Sequence, residues 1–561
     1  MIRLAPVAAI AALVGPVAFG LAGAALPAFG WLPTLGGDSL SLDPWRDLLG
    51  QPGLLRSVLV SFASGLVTTA LALAVVFLFL AGAGNSRLYG WIRRAVSPLL
   101  SVPHAAAAFG IAYLIAPSGL VARWLSPWAT GWERPPDLLI VHDAFGLSMM
   151  AGLVVKEIPF LLLMSLAALP QVDPVRRIAV ARSLGYRPVV AWFKAVAPSL
   201  YPLIRLPVYA VIAFSSSVVD VALILGPTNP PTLAVQIIRW FNDPDLEMRF
   251  LASAGAILQL GVTLAAMAVW WLGELIVARL GRFWIARGGR SLADGMLRRA
   301  GSALMLLAIG LAALSLLTLA LNSVAGLWRF PEALPDGLSF AKWMRAAPTI
   351  LPVLGETLAI GGLATLVSLV LVAAALENEV RRGRPSGPVA MRILYLPLIV
   401  PQIAFLFGVV MAAELAGFRP GFMLVVAGHV VFVLPYVYLS FAEAYRRYDP
   451  RWIMLARTLG SGRNGAFWRV RLPMLLAPCL TAAAIGLAVS VGQYLPTQLL
   501  GAGRVATVTT EAVSLAAGGS RRLIGVWALV QAVLPVLGFA LALGIPRLLF
   551  RNRRAMGEVA A

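Results

Sequence analysis

The chain has 561 residues, 60% of them hydrophobic and only 12% charged, with a formal net charge of +21. Ordinary globular chains are about 25% charged, so this composition and a mean hydropathy of +0.87 exclude a soluble multidomain enzyme and a disordered chain. One cysteine, Cys479, excludes a disulfide framework, and three histidines leave little for a metal cluster.

In chain order, apolar stretches of spanning length fall near 7–29, 54–82, 96–116, 140–169, 199–225 and 249–278. A second set falls near 301–323, 351–376, 392–416, 422–443, 475–500 and 523–549. The first stretch follows Arg3 and ends in small residues, as a signal peptide does. Its counterpart at 301–323, preceded by Arg298 and Arg299, argues that it is retained as a span. With the N-terminus inside, 30 basic residues fall in inside segments and 13 in outside segments, while Lys156 and Arg205 lie within spans. Positive charge collects on the cytoplasmic side, which places both termini there and makes the basic charge a matter of orientation, not of nucleic-acid binding.

The chain repeats itself. Pro103, Phe109 and Gly110 recur as Pro401, Phe407 and Gly408 at an offset of 298. Ala181-Arg182, Leu184-Gly185 and Pro198 recur as Ala456-Arg457, Leu459-Gly460 and Pro473 at an offset of 275, which also carries Ser215 to Ser490 and Thr232 to Thr507. An even number of spans per half gives both halves the same orientation. The expected fold is therefore an all-α polytopic membrane protein of about twelve transmembrane helices, two parallel repeats of six with a pathway between them. The halves run over 1–280 and 301–561, joined by a basic cytoplasmic linker at 281–300.

Two inside loops are long, 170–198 and 444–474, and they are equivalent in the repeat. Each holds a short helix-forming run that stops at glycine, Gly185 or Gly460. Each then passes an aromatic pair and reaches a proline, Pro198 or Pro473, thirteen residues on. Long matched loops on one side carry function more often than solvated connectors do. This pattern resembles the cytoplasmic loop signature of permease subunits of binding-protein-dependent ABC importers: Glu-Ala-Ala, three residues, Gly, nine residues, Ile, one residue, Leu-Pro. The spacing is kept in both copies, as are Ala181 and Ala456, and the second copy keeps Leu472 before Pro473. The glutamate is replaced by Ala179 and Met454, and the first copy has Ala195 and Ala197 where Ile and Leu are expected.

The resemblance implies a type I importer permease whose short helices, Pro174–Leu184 and Pro450–Leu459, couple to two copies of an ATP-binding subunit. Arg182 and Arg457 would be surface contacts to those partners or plain charge anchors. ATP and Mg would be bound by the partners and no cofactor by this chain, which has no Gly-x-x-x-x-Gly-Lys-Ser/Thr loop and whose three lysines never follow glycine. It further implies a periplasmic solute-binding protein, a bacterial inner-membrane location, and no enzymatic activity in this chain. The fused layout resembles the thiamine and ferric-iron branch, which makes thiamine the first choice of solute and ferric iron the second, with sulfate or polyamine behind.

Polar residues inside spans mark function by default. Candidates for the solute pathway are Glu157, beside Lys156 and before Pro159; Asp220, after Ser215-Ser216-Ser217; Gln493 and Tyr494 at the matching place in the second half; and His104 and Gln402, which share one repeat position. Ser216 belongs to the same set. Each of these also fits an ordinary interhelical hydrogen bond. Two acids on the route favour a cationic solute. The outer stretch Gly226–Arg249, with Pro227, Pro230, Pro231, Trp240, Phe241 and Asp243-Pro244-Asp245, resembles the mouth where a binding protein docks, and equally suits a rigid surface loop. The competing reading is a gradient-driven twelve-span secondary transporter. Its Gly/Asp/Arg loop after the second span is replaced here by Ala-Gly-Ala-Gly-Asn-Ser-Arg at 81–87.

Overall fold

The computed structural model describes residues 2–84, 86–291, 294–383, 387–518 and 520–551, and no strand occurs among them. Ten helices are long and apolar enough to cross a membrane, and two bent helix pairs bring the number of spans to as many as twelve. In the first half the main helices are α1 (Ala5–Ala28), α2 (Leu54–Ala83), α3 (Arg87–Ser101), α4 (His104–Ile115), α5 (Leu147–Ala168), α6 (Pro174–Ser183), α7 (Ala197–Ser217), α8 (Asp220–Leu225) and α9 (Met248–Ala286). In the second they are α10 (Asp294–Val324), α11 (Ala341–Arg382), α12 (Pro388–Ile399), α13 (Gln402–Leu415), α14 (Phe422–Arg447), α15 (Arg451–Thr458), α16 (Leu476–Val491), α17 (Leu495–Gly501) and α18 (Arg521–Leu549).

Four of the expected spans are broken helices. The stretch 96–116 divides into α3 and α4 at Val102-Pro103, and 392–416 divides into α12 and α13 at Val400-Pro401, where the axis turns by 85°. A proline pushes the residue before it out of the helical region. Val102 (ψ 127°) and Val400 (ψ 127°) are both extended. Likewise 199–225 divides into α7 and α8, and 475–500 into α16 and α17, with a further 72° bend where the chain enters α16. The expected linker 281–300 is mostly helix, since α9 runs to Ala286 and α10 begins at Asp294.

The two halves interlock through their first helices. α1 packs most extensively on α13 of the second half, and α10 packs on α2 and α4 of the first. These crossings explain the repeated Phe-Gly pair. A Cβ on Gly408 would sit 1.7 Å from the Gly20 carbonyl oxygen, and one on Gly110 would sit 2.5 Å from that of Ser315. Lipid gives helices no hydrophobic reason to associate, so close backbone approach at small residues supplies the packing instead.

Candidate solute pathway and coupling loops

The two long matched loops are built alike. Asp173 caps the first short helix, accepting a hydrogen bond from the Arg176 N–H at 3.4 Å, while Asp449 lies one residue before the Pro450 cap of the second and accepts from the Arg451 N–H at 2.9 Å. Each ends in a left-handed glycine, Gly185 at φ +83° and Gly460 at φ +86°. The glycine N–H donates to the carbonyl of Arg182 or Arg457, and the next N–H donates to that of Ala181 or Ala456. This pattern satisfies carbonyls left open at a helix end. Ala181 and Ala456 are the buried residues of their helices. Arg182 and Arg457 are exposed, as are Val175, Val180 and Leu184 on one loop and Trp452, Met454, Leu455 and Leu459 on the other.

After the glycines the chain forms a π turn in both copies, Trp192–Val196 and Phe467–Arg471. Pro198 and Pro473 follow at the same distance. A proline inside a regular helix clashes with the carbonyl four residues back, here Lys194 and Arg469, and the wider π turn relieves that clash.

Each loop is anchored differently. The linker docks on the first: Lys194 Nζ donates to the carbonyls of Trp284 (3.0 Å) and Gly289 (2.9 Å), and Asp294 accepts from the Val189 N–H at 3.1 Å. A basic linker reads in sequence as a plain charge anchor, and nothing local signals this docking. The second loop is held by a buried ion pair, Arg471 with Glu377, which also receives a hydrogen bond from Tyr445 and an ion pair from Arg381 at 2.7 Å.

Within the membrane, Glu157 is buried on α5, and its Oε1 lies 3.2 Å from Nε2 of His104, the first residue of α4. The His104 ring stacks obliquely on Phe214, centroids 4.6 Å apart. Asp220 is buried at the start of α8. Across the seam, a Cβ on Gly492, two residues before Tyr494, would lie 4.0 Å from that of Pro103, the residue before His104. His104 and Glu157 therefore meet on the first half's side of this seam. Lys156 points elsewhere, donating to the carbonyls of Leu99 (3.1 Å) and Leu100 (3.0 Å) where α3 ends before its break.

Ser216 does not belong to this seam. Its hydroxyl bonds the Ala213 carbonyl and Thr263 Oγ1, both at 3.0 Å, inside the packing of α7 against α9. Gln402 and Gln493 are half-buried, and their side-chain amides make no hydrogen bond among the described residues. The second half has its own buried polar group, His429, bonded to Ser490 Oγ (2.7 Å) and Thr497 Oγ1 (2.9 Å) across the α16–α17 break. Both ring nitrogens are thereby occupied, which makes His429 a brace. On the outer side, the stretch 226–249 is not an open loop. It contains a nine-residue helix, Leu233–Phe241, whose Trp240 is buried, while Asp245 stays exposed.

The molecule is thus a multi-span membrane protein with two matched loops at one end of its helices and buried polar groups where its halves meet. Residues 367–553 match the family model for the binding-protein-dependent transport system inner membrane component. The chain is 32% identical over 516 residues to the inner membrane ABC transporter permease protein YnjC of Escherichia coli, covering 91% of each chain. It is 27% identical over 125 residues to a spermidine/putrescine transport system permease protein PotC homolog of Mycoplasma genitalium, covering 22% of this chain and 42% of that one. This protein belongs to the family of inner-membrane permease components of binding-protein-dependent ABC transporters. That membership displaces the gradient-driven alternative.

Proposed function

We propose that this permease carries a small cationic solute, thiamine-like first and ferric iron second, from periplasm to cytoplasm by alternating access. The observation that carries the reading is the lopsided seam. Glu157 and Asp220 are buried acids of the first half. At the offset of 276 that carries Asp173 to Asp449, Glu157 is matched by Val433; at 275 Asp220 is matched by Leu495, and at 298 His104 by Gln402, so both acids have apolar counterparts. Two buried carboxylates in one half suit a cationic solute, through charge. Among the described residues no group of three or more His, Cys, Asp or Glu side chains is placed to hold a metal ion, which favours the organic cation. The short relative's name, which speaks of spermidine and putrescine, is of the same charge class.

In this reading the halves 1–280 and 301–561 act as two fused permease units, with both termini cytoplasmic by their excess of basic residues. Two copies of an ATP-binding subunit would seat α6 and α15 through the exposed apolar and arginine side chains described above, and ATP with Mg would stay in those partners. A periplasmic solute-binding protein would deliver at the outer face beside Asp245. Purification of the tagged chain from its native membranes tests the assembly. An ATP-binding subunit at two copies per chain is expected, and recovery of the chain alone overturns it.

The cation reading has its own test. A hydrogen bond or ion pair to a charged group contributes about 1.5–3 kcal/mol, so Asp220→Asn is expected to slow uptake by about tenfold or more with normal membrane insertion. Undiminished uptake in both Asp220→Asn and Glu157→Gln would remove the cation site.

A further inference from the structure

At the end of the bundle opposite the coupling loops, a cavity of about 310 Å³ opens between α4, α10 and α18. Tyr113, Ser118, Arg123, Asn322, Arg521 and Arg522 line it, together with small residues, Leu120, Trp328 and Ser520. Three guanidiniums share the space, and no acidic side chain lines it.

Arg123 is fixed in place. Its Nε donates to the Ser118 carbonyl at 3.0 Å and its Nη1 to the carbonyls of Arg329 (2.6 Å) and Glu332 (3.1 Å), while the guanidinium lies 4.6 Å from the Trp328 ring centroid. These acceptors are carbonyls, and the one acidic influence on Arg123 is the Glu332 carboxylate, which does not line the cavity. Arg521 donates to Ser118 Oγ at 2.6 Å and acts electrostatically on Arg123. Arg522 is half-buried and has no hydrogen-bond or ion-pair partner among the described residues. Both arginines also open α18, where the helix dipole is positive and cations are disfavoured. Repulsion of this kind persists where an anion is there to relieve it.

We infer that this cavity binds a phosphate group, and that its source is the phosphodiester of an anionic phospholipid from the outer leaflet. Guanidinium forks match phosphate oxygens in pairs. The cavity lies at the outer ends of three spans, beside the exposed Trp124 and Trp128, at the level where tryptophan gathers at the membrane surface. Further down the same two helices, Leu317 on α10 and Val533 on α18 are exposed, which offers the acyl chains an apolar surface. A lipid seated here would bridge α4 of the first half to α10 and α18 of the second.

The test is native mass spectrometry of the full chain in detergent with equal amounts of phosphatidylglycerol and phosphatidylcholine. The wild type is expected to keep one phosphatidylglycerol more than Arg521→Gln/Arg522→Gln does, with phosphatidylcholine kept equally and phosphatidylglycerol affinity falling about tenfold or more. A second arm titrates inorganic phosphate and follows the thermal midpoint. A rise in the wild type only, without lipid preference, keeps the phosphate site and assigns it to a soluble ligand. The Arg522→Gln single variant, which breaks no internal contact, guards against misfolding and is expected to weaken the lipid in the same direction. Equal phosphatidylglycerol retention together with no phosphate response overturns the proposal. So does a variant that loses only its solute-binding partner, since the cavity would then be a docking surface for protein carboxylates.

Discussion

Arg471→Met is expected to destabilise the chain by about 3 kcal/mol, the lower end of the cost of breaking a buried ion pair from one side. Arg471 closes the π turn of the second long loop, and its side chain is buried. It reaches the buried Glu377 near the end of α11 and lies over the rings of Tyr445 (5.5 Å) and Tyr448 (5.3 Å). Without it, Glu377 keeps Arg381 and Tyr445, which is why the loss falls at the low end and not above it. Replacing both charges, Glu377→Gln with Arg471→Met, is expected to recover most of the loss, because the one charge left over, Arg381, is partly exposed and keeps a hydrogen bond to Asn464 at 3.3 Å. The measurement is the thermal midpoint of the four members of this double-mutant cycle in detergent. An unchanged midpoint in Arg471→Met would show that the pair holds nothing. The same variant should lower uptake per ATP hydrolysed, since Arg471 connects the second loop to α11 and α14.

Which parts of this molecule could be read from its sequence follows from the range of the forces involved. Gly185, Gly460, Pro198 and Pro473 were legible because a positive φ or a missing N–H is a property of one residue, and the repeat displays each twice. The all-helical, twelve-stretch architecture was legible because a bilayer demands long apolar runs. The breaks at Pro103 and Pro401 were hidden by the same demand: hydropathy averages over a stretch and does not notice an 85° turn inside it. Ser216 misled for a related reason. Residues four apart share a face of a continuous helix, but the break at Val218 between α7 and α8 separates Ser216 from Asp220, and Ser216 turns to Thr263. The Glu377–Arg471 pair spans 94 residues, and each member alone looks like ordinary charge at a membrane boundary. The docking of the linker on Lys194 and Val189 is a pairing of the same long range. What stayed hidden was thus tertiary pairing between halves or between loop and span.

The double variant Gly185→Val/Gly460→Val is expected to insert normally and yet to lose at least about tenfold in uptake, while ATP hydrolysis by its partner subunits continues. The reasoning rests on where the strain falls. An added Cβ at Gly460 meets nothing within 4 Å, and at Gly185 it meets only the flexible Arg290 side chain at 3.6 Å. Steric clash is therefore absent, and the cost is the backbone conformation alone. A left-handed residue with a side chain costs about 1–2 kcal/mol, and valine, branched at Cβ, suits that region worst. That strain is too small to unfold a chain with this much buried surface. It is large enough to favour another path out of each short helix, which would release the N–H bonds to Ala181 and Ala456 and swing α6 and α15 away from their set positions. If those helices carry force from the ATP-binding subunits, a swing of this kind disconnects hydrolysis from transport. Gly462→Val is the matched control: Gly462 has an ordinary φ of −64° and open space around it, so uptake is expected to be kept. Equal uptake in the double variant and the wild type would mean that the two left-handed turns serve only to end their helices.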